Sequence, residues 1–175
     1  MPEEGSENLY ECMSKYLGSA DAPHPKIGTL ENAAKIYQKG CYEMIARRCC
    51  EVRISAECIV IDNGPTDRRT FQIKKTLFCA TYKKIPKVVV FNYMNGSMEN
   101  GIQCHAIFTS SITEAQDFVK AVTTAFSQAY SMDLDGKEIH TKTPSKGKQA
   151  AKKHGLWSER ITDIFGTVTQ CVGKE

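Results

Sequence analysis

The chain has 175 residues and a formal net charge of +3, and 41% of its residues are hydrophobic. This is an ordinary globular composition, and the length suits one domain with tails. The charge is too small to indicate nucleic-acid binding by itself, and no apolar run reaches the roughly 20 residues that a membrane span needs. We therefore expect a globular domain with no nucleic-acid partner.

The eight cysteines are interpreted as free thiols of a cytoplasmic protein. Most of them lie in apolar periodic runs, where cysteine behaves as a small hydrophobic residue. Residues 1–8 are acidic and polar, unlike a secretory signal, so an oxidising compartment is not indicated. No Cys-x-x-Cys pair or Cys/His cluster suggests zinc. The sequence therefore predicts no metal and no cofactor.

In the N-terminal third of the chain, the residue pattern predicts frayed residues 1–9, a strand over residues 10–20 and a helix over residues 29–47. Residues 21–25 are a predicted turn, because their two prolines exclude regular pairing. Thr29 is the expected N-cap. Gly40 either lies where another backbone comes close or divides the segment into two short helices. The expected apolar face of the helix consists of Leu30, Ala33, Ala34, Tyr37, Cys41, Met44 and Ile45.

From residue 50 to residue 108 the apolar residues alternate with period two, as in half-buried strands. Residues 71–82 form a longer strand or a bent pair. Asp62-Asn63-Gly64-Pro65 and Asn95-Gly96 mark turns between strands. With the first strand there are about seven strands in series, and short connections favour antiparallel pairing.

Residues 111–130 carry the clearest helical pattern in the chain. Ser111 and Glu114 have the spacing of a capping box, in which the Glu side chain reaches back to the Ser N–H. Apolar residues recur every three or four positions on one stripe, which needs a sheet to cover. The stripe consists of Ala115, Phe118, Val119, Val122, Ala125, Phe126, Ala129 and Tyr130.

The C-terminal quarter follows a different pattern. Residues 135–155 form a basic flexible linker, because 137–155 hold six lysines and one acid. Those lysines are either a solvated linker or an attraction to anionic lipid. Residues 156–172, within a predicted segment 156–175, show the periodicity of a short amphipathic helix that docks back, binds a partner or stays disordered.

The elements together predict an α+β, mainly β fold: an antiparallel sandwich or open barrel with one helix after the first strand and a capping C-terminal helix. Three strings make this more specific: Tyr16-Leu17-Gly18-Ser19, Cys104-His105 and Ala125-Phe126. In this order, residues 10–134 resemble the phosphotyrosine-binding (PTB) domain family, and most closely its Dab/Numb-like adaptor branch. The resemblance implies a PH-like sandwich of seven antiparallel strands.

The resemblance also implies a function. PTB domains bind N-P-x-Y-type peptides from the cytoplasmic tails of membrane receptors by adding the peptide to the free edge of the fifth strand. No set of arginines matching the phosphotyrosine pocket is visible, which favours phosphorylation-independent binding. Lysines at positions 74, 75, 83 and 84 would attract an acidic or phosphorylated peptide. The implied peptide-binding residues are Lys74, Lys75, Thr76, Leu77, Phe78, Cys79, Ala80, Thr81, Val122, Thr123, Phe126 and Tyr130.

Simple alternation on that strand would put Leu77 and Cys79 on one face, with Thr76, Phe78 and Ala80 on the other. Phe126 is interpreted as a core residue, a peptide contact or both, because the groove of this fold is continuous with its core.

A second hypothesis is a PH-like module that binds phosphoinositide lipids on a basic face. Its candidate residues are Lys26, Lys35, Lys39, Arg47 and Arg48. Catalysis is not expected, because none of the common catalytic motifs is present. Cys104 and His105 point to opposite faces of a strand, so they are read as a buried cysteine beside an exposed histidine rather than as a site.

Overall fold

Seven strands and two α-helices make up the described part of the chain, which comprises residues 7–41, 43–44, 46–96 and 101–135 of a computed structural model. By contacts the chain divides into two compact units, Met1–Tyr130 and Ser131–Glu175, and the described part of the second is the end of the last helix. The elements are β1 (Asn8–Asp21), α1 (Thr29–Cys41), β2 (Cys50–Ser55), β3 (Cys58–Asp62), β4 (Arg68–Gln72), β5 (Thr76–Tyr82), β6 (Ile85–Met94), β7 (Ile102–Phe108) and α2 (Ile112–Asp135).

The strands form one antiparallel arrangement in the order β4-β3-β2-β1-β7-β6-β5. β1 is long enough to serve both halves: residues 8–14 pair with β2 and residues 15–21 pair with β7. The register with β7 shifts between Tyr16 and Gly18, and Gly18 has a φ of 124°, a conformation that favours glycine. The bend in β1 therefore divides the sheet into the two layers of a sandwich.

β6 shows how both faces of the sheet are filled. Val88 and Val90 join the core cluster under α1, whereas Phe91 and Tyr93 point to the opposite face. There each ring lies 5.1 Å from the ring of Phe71 on β4, in edge-to-face geometry. Since β4 and β6 are not neighbours in the sheet, these contacts join the two layers. The predicted sandwich is confirmed.

α1 is a single helix that ends at Cys41, earlier than predicted. A Cβ at Gly40 would lie 3.2 Å from the carbonyl oxygen of Leu17, so the helix approaches β1 closely at this position. The predicted apolar face is wrong in part, because Leu30 is 55% exposed while Ile36 is buried. The buried face therefore differs from the predicted stripe and includes Ile36 and Gly40. Its buried residues are Thr29, Asn32, Ala33, Ile36 and Gly40.

α2 begins as predicted, with one change in its capping. The Glu114 N–H donates to Ser111 Oγ at 3.1 Å, but the Glu114 carboxylate accepts from Ser110 N at 3.1 Å instead of from Ser111. The Tyr10 hydroxyl on β1 donates to the Glu114 carbonyl at 3.0 Å, and its ring lies 6.2 Å from Phe118. The predicted stripe is buried at Ala115, Phe118, Val119, Val122, Ala125 and Ala129, and half-buried at Phe126 and Tyr130.

The first strand and the last helix both extend beyond their predicted bounds. β1 begins at Asn8, and α2 extends to Asp135, the first residue of the predicted linker. The remainder of that linker and the predicted helix over 156–172 lie outside the described residues.

Candidate functional site

β5 lies at one end of the sheet and, among the described residues, pairs only with β6. Its outer backbone N–H and C=O groups are therefore open to another strand. The predicted alternation of its side chains is wrong: Thr76, Cys79 and Tyr82 are buried, while Leu77 is half-buried against the core under α1. The register with β6 shifts between Thr76 and Phe78, so the strand carries a bulge that breaks the period of two.

No charged side chain lies on β5 itself, whose sequence is TLFCATY. Burial raises the pKa of the Cys79 thiol, so this cysteine stays neutral and unreactive. Lys74 and Lys75 precede the strand in a 3-10 turn, not on the strand as predicted. Lys83 and Lys84 follow it in the turn to β6 and are exposed. The edge is thus uncharged along its length and basic at both ends.

Phe126 and Tyr130 on α2 form an aromatic pair that is only half-buried. Their ring centroids lie 5.5 Å apart with an interplanar angle of 20°. Val122, one turn earlier, is buried, and the Thr123 hydroxyl donates to the Val119 carbonyl at 2.9 Å. Of the four residues predicted on this helix, the aromatic pair therefore presents the apolar surface that an added chain could cover.

A polar pocket of about 390 Å³ lies elsewhere in the same unit, and we call it the arginine pocket. Arg47 and Arg48 line it as members of the predicted basic set, whereas Lys26, Lys35 and Lys39 do not. Arg69 on β4 also lines the pocket, and the sequence did not predict it. The three arginines come from separate elements that only the folded chain brings together. The pocket is lined by Tyr16, Gly18, Ser19, Arg47, Arg48, Asn63, Asp67 and Arg69.

Two of the three arginines in the pocket already have protein partners. Arg47 donates to the Tyr16 carbonyl at 3.1 Å and to the Glu43 carboxylate at 2.9 Å. Arg69 Nε lies 3.0 Å from Asp67 Oδ1, and this hydrogen bond lowers the pKa of the Asp67 carboxyl. Arg48 is exposed and makes no ion pair with the described residues. The pocket is therefore basic, but two of its cations are paired with the carboxylates of Asp67 and the nearby Glu43.

His105 supports the floor of the arginine pocket, and the prediction that it is exposed is wrong. It is 3% exposed and stacks on Phe91 at 5.1 Å, while Cys104 is buried on the other face of β7. Both residues are buried because β7 is a central strand covered on both faces. Burial lowers the pKa of His105 to about 4, so its ring is neutral at pH 7.

Hydrogen bonds connect His105 through Tyr16 to Arg69. Arg69 Nη1 donates to the Tyr16 hydroxyl at 3.3 Å, and that hydroxyl lies 2.9 Å from His105 Nδ1. The direction of the bond between Tyr16 Oη and His105 Nδ1 depends on the histidine tautomer, because a phenol oxygen that accepts from an arginine can still either donate or accept a second bond. Nε2 is buried and has no hydrogen-bond partner among the described residues. The chain Arg69–Tyr16–His105 thus joins the pocket to the core.

Within the described ranges, no group of three or more His, Cys, Asp or Glu residues could hold a metal ion. The seven cysteines that these ranges contain are free thiols. None of the helices that the structure describes is both long enough and apolar enough to cross a membrane.

Comparison with known proteins shows the fold. No protein-family model and no curated protein matches the sequence. Among solved structures, the C-terminal phosphotyrosine interaction domain of APBB2 from mouse is similar with a TM-score of 0.57 and 12% sequence identity, over 84% of this chain and 94% of that chain. Inner Membrane Complex sub-compartment protein 3 from Toxoplasma gondii matches 48% of this chain and 67% of its own, with a TM-score of 0.37 and 20% identity. The chain has the fold of a phosphotyrosine-interaction, or PTB, domain.

Proposed function

We propose that this chain is an adaptor domain that binds N-P-x-Y-type peptides from the cytoplasmic tails of membrane receptors. The observation that carries the proposal is the uncharged edge strand β5 of a PTB fold, which pairs only with β6 in the part of the chain that the structure describes. An extended peptide on this edge would bond to the outer backbone groups of β5, and neighbouring side-chain surfaces would select its sequence. The finer assignment to the Dab/Numb-like branch is part of the proposal.

The half-buried pair Phe126 and Tyr130 supplies the apolar wall in this account. Aromatic side chains have few rotatable bonds, so they offer a large contact area at low entropic cost. Because each ring is already held by the other and by the helix, little further ordering is needed when a peptide side chain covers it. The peptide backbone would thus contribute affinity, and the aromatic pair would contribute selectivity.

Binding in this proposal does not require a phosphorylated tyrosine. Three arginines of the chain line a pocket with β1 and with the turn between β3 and β4, and none lies on β5. Arg47 and Arg69 are also engaged by carboxylates there. Such a domain would act in the cytoplasm, at the inner surface of the membrane, in signalling or endocytic trafficking.

A panel of N-P-x-Y tail peptides, each synthesised with and without phosphate on the tyrosine, tests the proposal by titration calorimetry. The expected result is micromolar binding of some peptides, with little difference between their two forms. Binding of the phosphorylated forms alone would contradict phosphorylation independence. No binding by any peptide, with the fold intact, would contradict the peptide function.

A second candidate function rests on the arginine pocket. A volume of about 390 Å³ with three guanidinium groups suits a phosphorylated head group, since Arg binds phosphate through paired hydrogen bonds. We propose anionic phosphoinositide lipid as its ligand. Liposome co-sedimentation with and without phosphoinositide separates the candidates: head-group-selective binding without any peptide response would favour lipid over peptide as the main function.

A further inference from the structure

We infer that the peptide partner of β5 carries acidic side chains at both ends of its paired segment, with about seven residues between them. The inference rests on the proposed peptide function and specifies its ligand. Positive charge is concentrated around the strand and absent from it. Residues 73–87, IKKTLFCATYKKIPK, contain five lysines and no acidic residue. The lysines fall before and after the strand, and none falls within it.

The positions of these lysines define a length. β5 has seven residues, which correspond to about 23 Å of extended chain. Lys75 immediately precedes the strand, and Lys83 immediately follows it, eight positions later. A peptide that pairs along the whole edge would bring its two flanks to these two basic ends. This holds for parallel and antiparallel addition alike, because both ends are basic.

The exposed state of these side chains fits a ligand that supplies the opposite charge. Lys75, Lys83 and Lys84 are all exposed, and none makes an ion pair with the described residues. By contrast, Arg47 and Arg69 at the arginine pocket are paired with carboxylates of the chain itself. Lys75, Lys83 and Lys84 are therefore available to an incoming acidic chain.

Lysines can also protect a sheet edge from association, but protective lysines are expected at other positions than those seen around β5. Charges that prevent edge-to-edge association lie on the edge strand, where they oppose a second copy. Here the edge strand is uncharged, and its backbone stays accessible between the two basic ends. An acidic-ended peptide has the charge that these two basic ends attract.

The test uses the full chain and four synthetic peptides that share one N-P-x-Y core selected from the tail panel. Glu pairs are placed at both ends, at the N-terminal end only, at the C-terminal end only or at neither end, with Gln as the replacement. We expect the peptide with both acidic ends to bind about tenfold more tightly than the peptide with neither. Each single-ended peptide should fall between them, and the difference should shrink at high salt.

Charge reversal provides the matched control. Lys83→Glu with Lys84→Glu should remove the contribution of one peptide end, and replacing the Glu pair of that end by Lys should restore it. The Lys35→Glu with Lys39→Glu variant has the same change in net charge, lies on α1 and should leave the peptide series unchanged.

Four results would overturn the inference. Equal binding of all four peptides would leave strand addition in place but remove the acidic requirement. Self-association of the reversed variant would assign the lysines to keeping edges apart, and loss of anionic-vesicle binding with a flat peptide series would assign them to membrane. A tail panel with no binder would remove the proposed function and this inference together.

Discussion

The β5 edge and the arginine pocket are two candidate binding surfaces built in opposite ways. At β5 the groups on offer are backbone amides and carbonyls, and the nearby Lys75, Lys83 and Lys84 are exposed and make no ion pair with the described residues. In the arginine pocket the groups on offer are side chains, and two of its three arginines already bond to carboxylates. The two surfaces therefore differ more in how their charges are paired than in how many charges they carry.

This difference has consequences for affinity. A cation fixed by a carboxylate is positioned in advance, but a ligand must compete with that carboxylate. An exposed lysine meets no competition, but it loses side-chain entropy when it pairs, so each pair contributes little. We therefore expect the pocket to select strongly charged anions and the β5 edge to select extended peptides whose charge adjusts affinity.

The largest expected effect concerns the support beneath the pocket. His105 has a pKa lowered from 6.5 to about 4 by burial. Between these values the unfolded chain binds a proton here that the folded chain does not, so the free energy of unfolding falls as pH decreases from 6.5 to 4. The loss should approach roughly 3 kcal/mol. Urea unfolding across this range measures it, and His105→Phe should flatten the profile. An unchanged slope in that variant would assign the pH dependence to other groups.

Next in size is the effect of Phe126→Val on the peptide surface. Removing an aromatic contact of this kind costs about 2 kcal/mol of binding, or roughly 30-fold in Kd. The fold should persist, because the residue is half-buried and valine keeps an apolar filler. Titration with the best tail peptide, alongside thermal unfolding, measures both properties. Thr124→Val, at an exposed position of the same helix, is the control. Unchanged affinity in Phe126→Val would exclude the aromatic pair from the peptide site.

Removing the exposed cation of the pocket should have a smaller effect on lipid binding. Arg48→Ala should weaken binding to phosphoinositide vesicles by about 1 kcal/mol, or roughly fivefold, and leave peptide affinity unchanged. Lys39→Ala on α1 removes the same charge outside the pocket lining. If both variants lose vesicle binding equally, a diffuse basic face would replace the pocket as the lipid site.

The smallest effect tests the competing carboxylate. Asp67→Asn keeps the side-chain shape but releases Arg69 from its 3.0 Å ion pair. Because exposed ion pairs contribute at most about 1 kcal/mol, binding to the same vesicles should strengthen about threefold. Weaker binding would indicate that Asp67 positions Arg69 for the ligand and does not compete with it.

The sequence predicts features that depend on neighbours along the chain and misses features that depend on folding. The α2 stripe, the close approach at Gly40 and the seven strands follow from local spacing. The bulge in β5, the burial of His105 and the pairing of Arg69 with Tyr16 do not, because each is set by a partner far away in the chain. The β5 edge could therefore be located from the family resemblance, whereas the arginine pocket as a unit could not.

Amide hydrogen exchange with and without a bound tail peptide tests the central claim most directly. β5 and β4 are the two ends of the sheet, so each has a free edge among the described residues. The account predicts that alternate amides within Thr76–Tyr82 become protected when the peptide binds, while the amides of Arg68–Gln72 on the opposite edge exchange as before. Protection on β4, or binding that leaves the β5 amides unprotected, would contradict it.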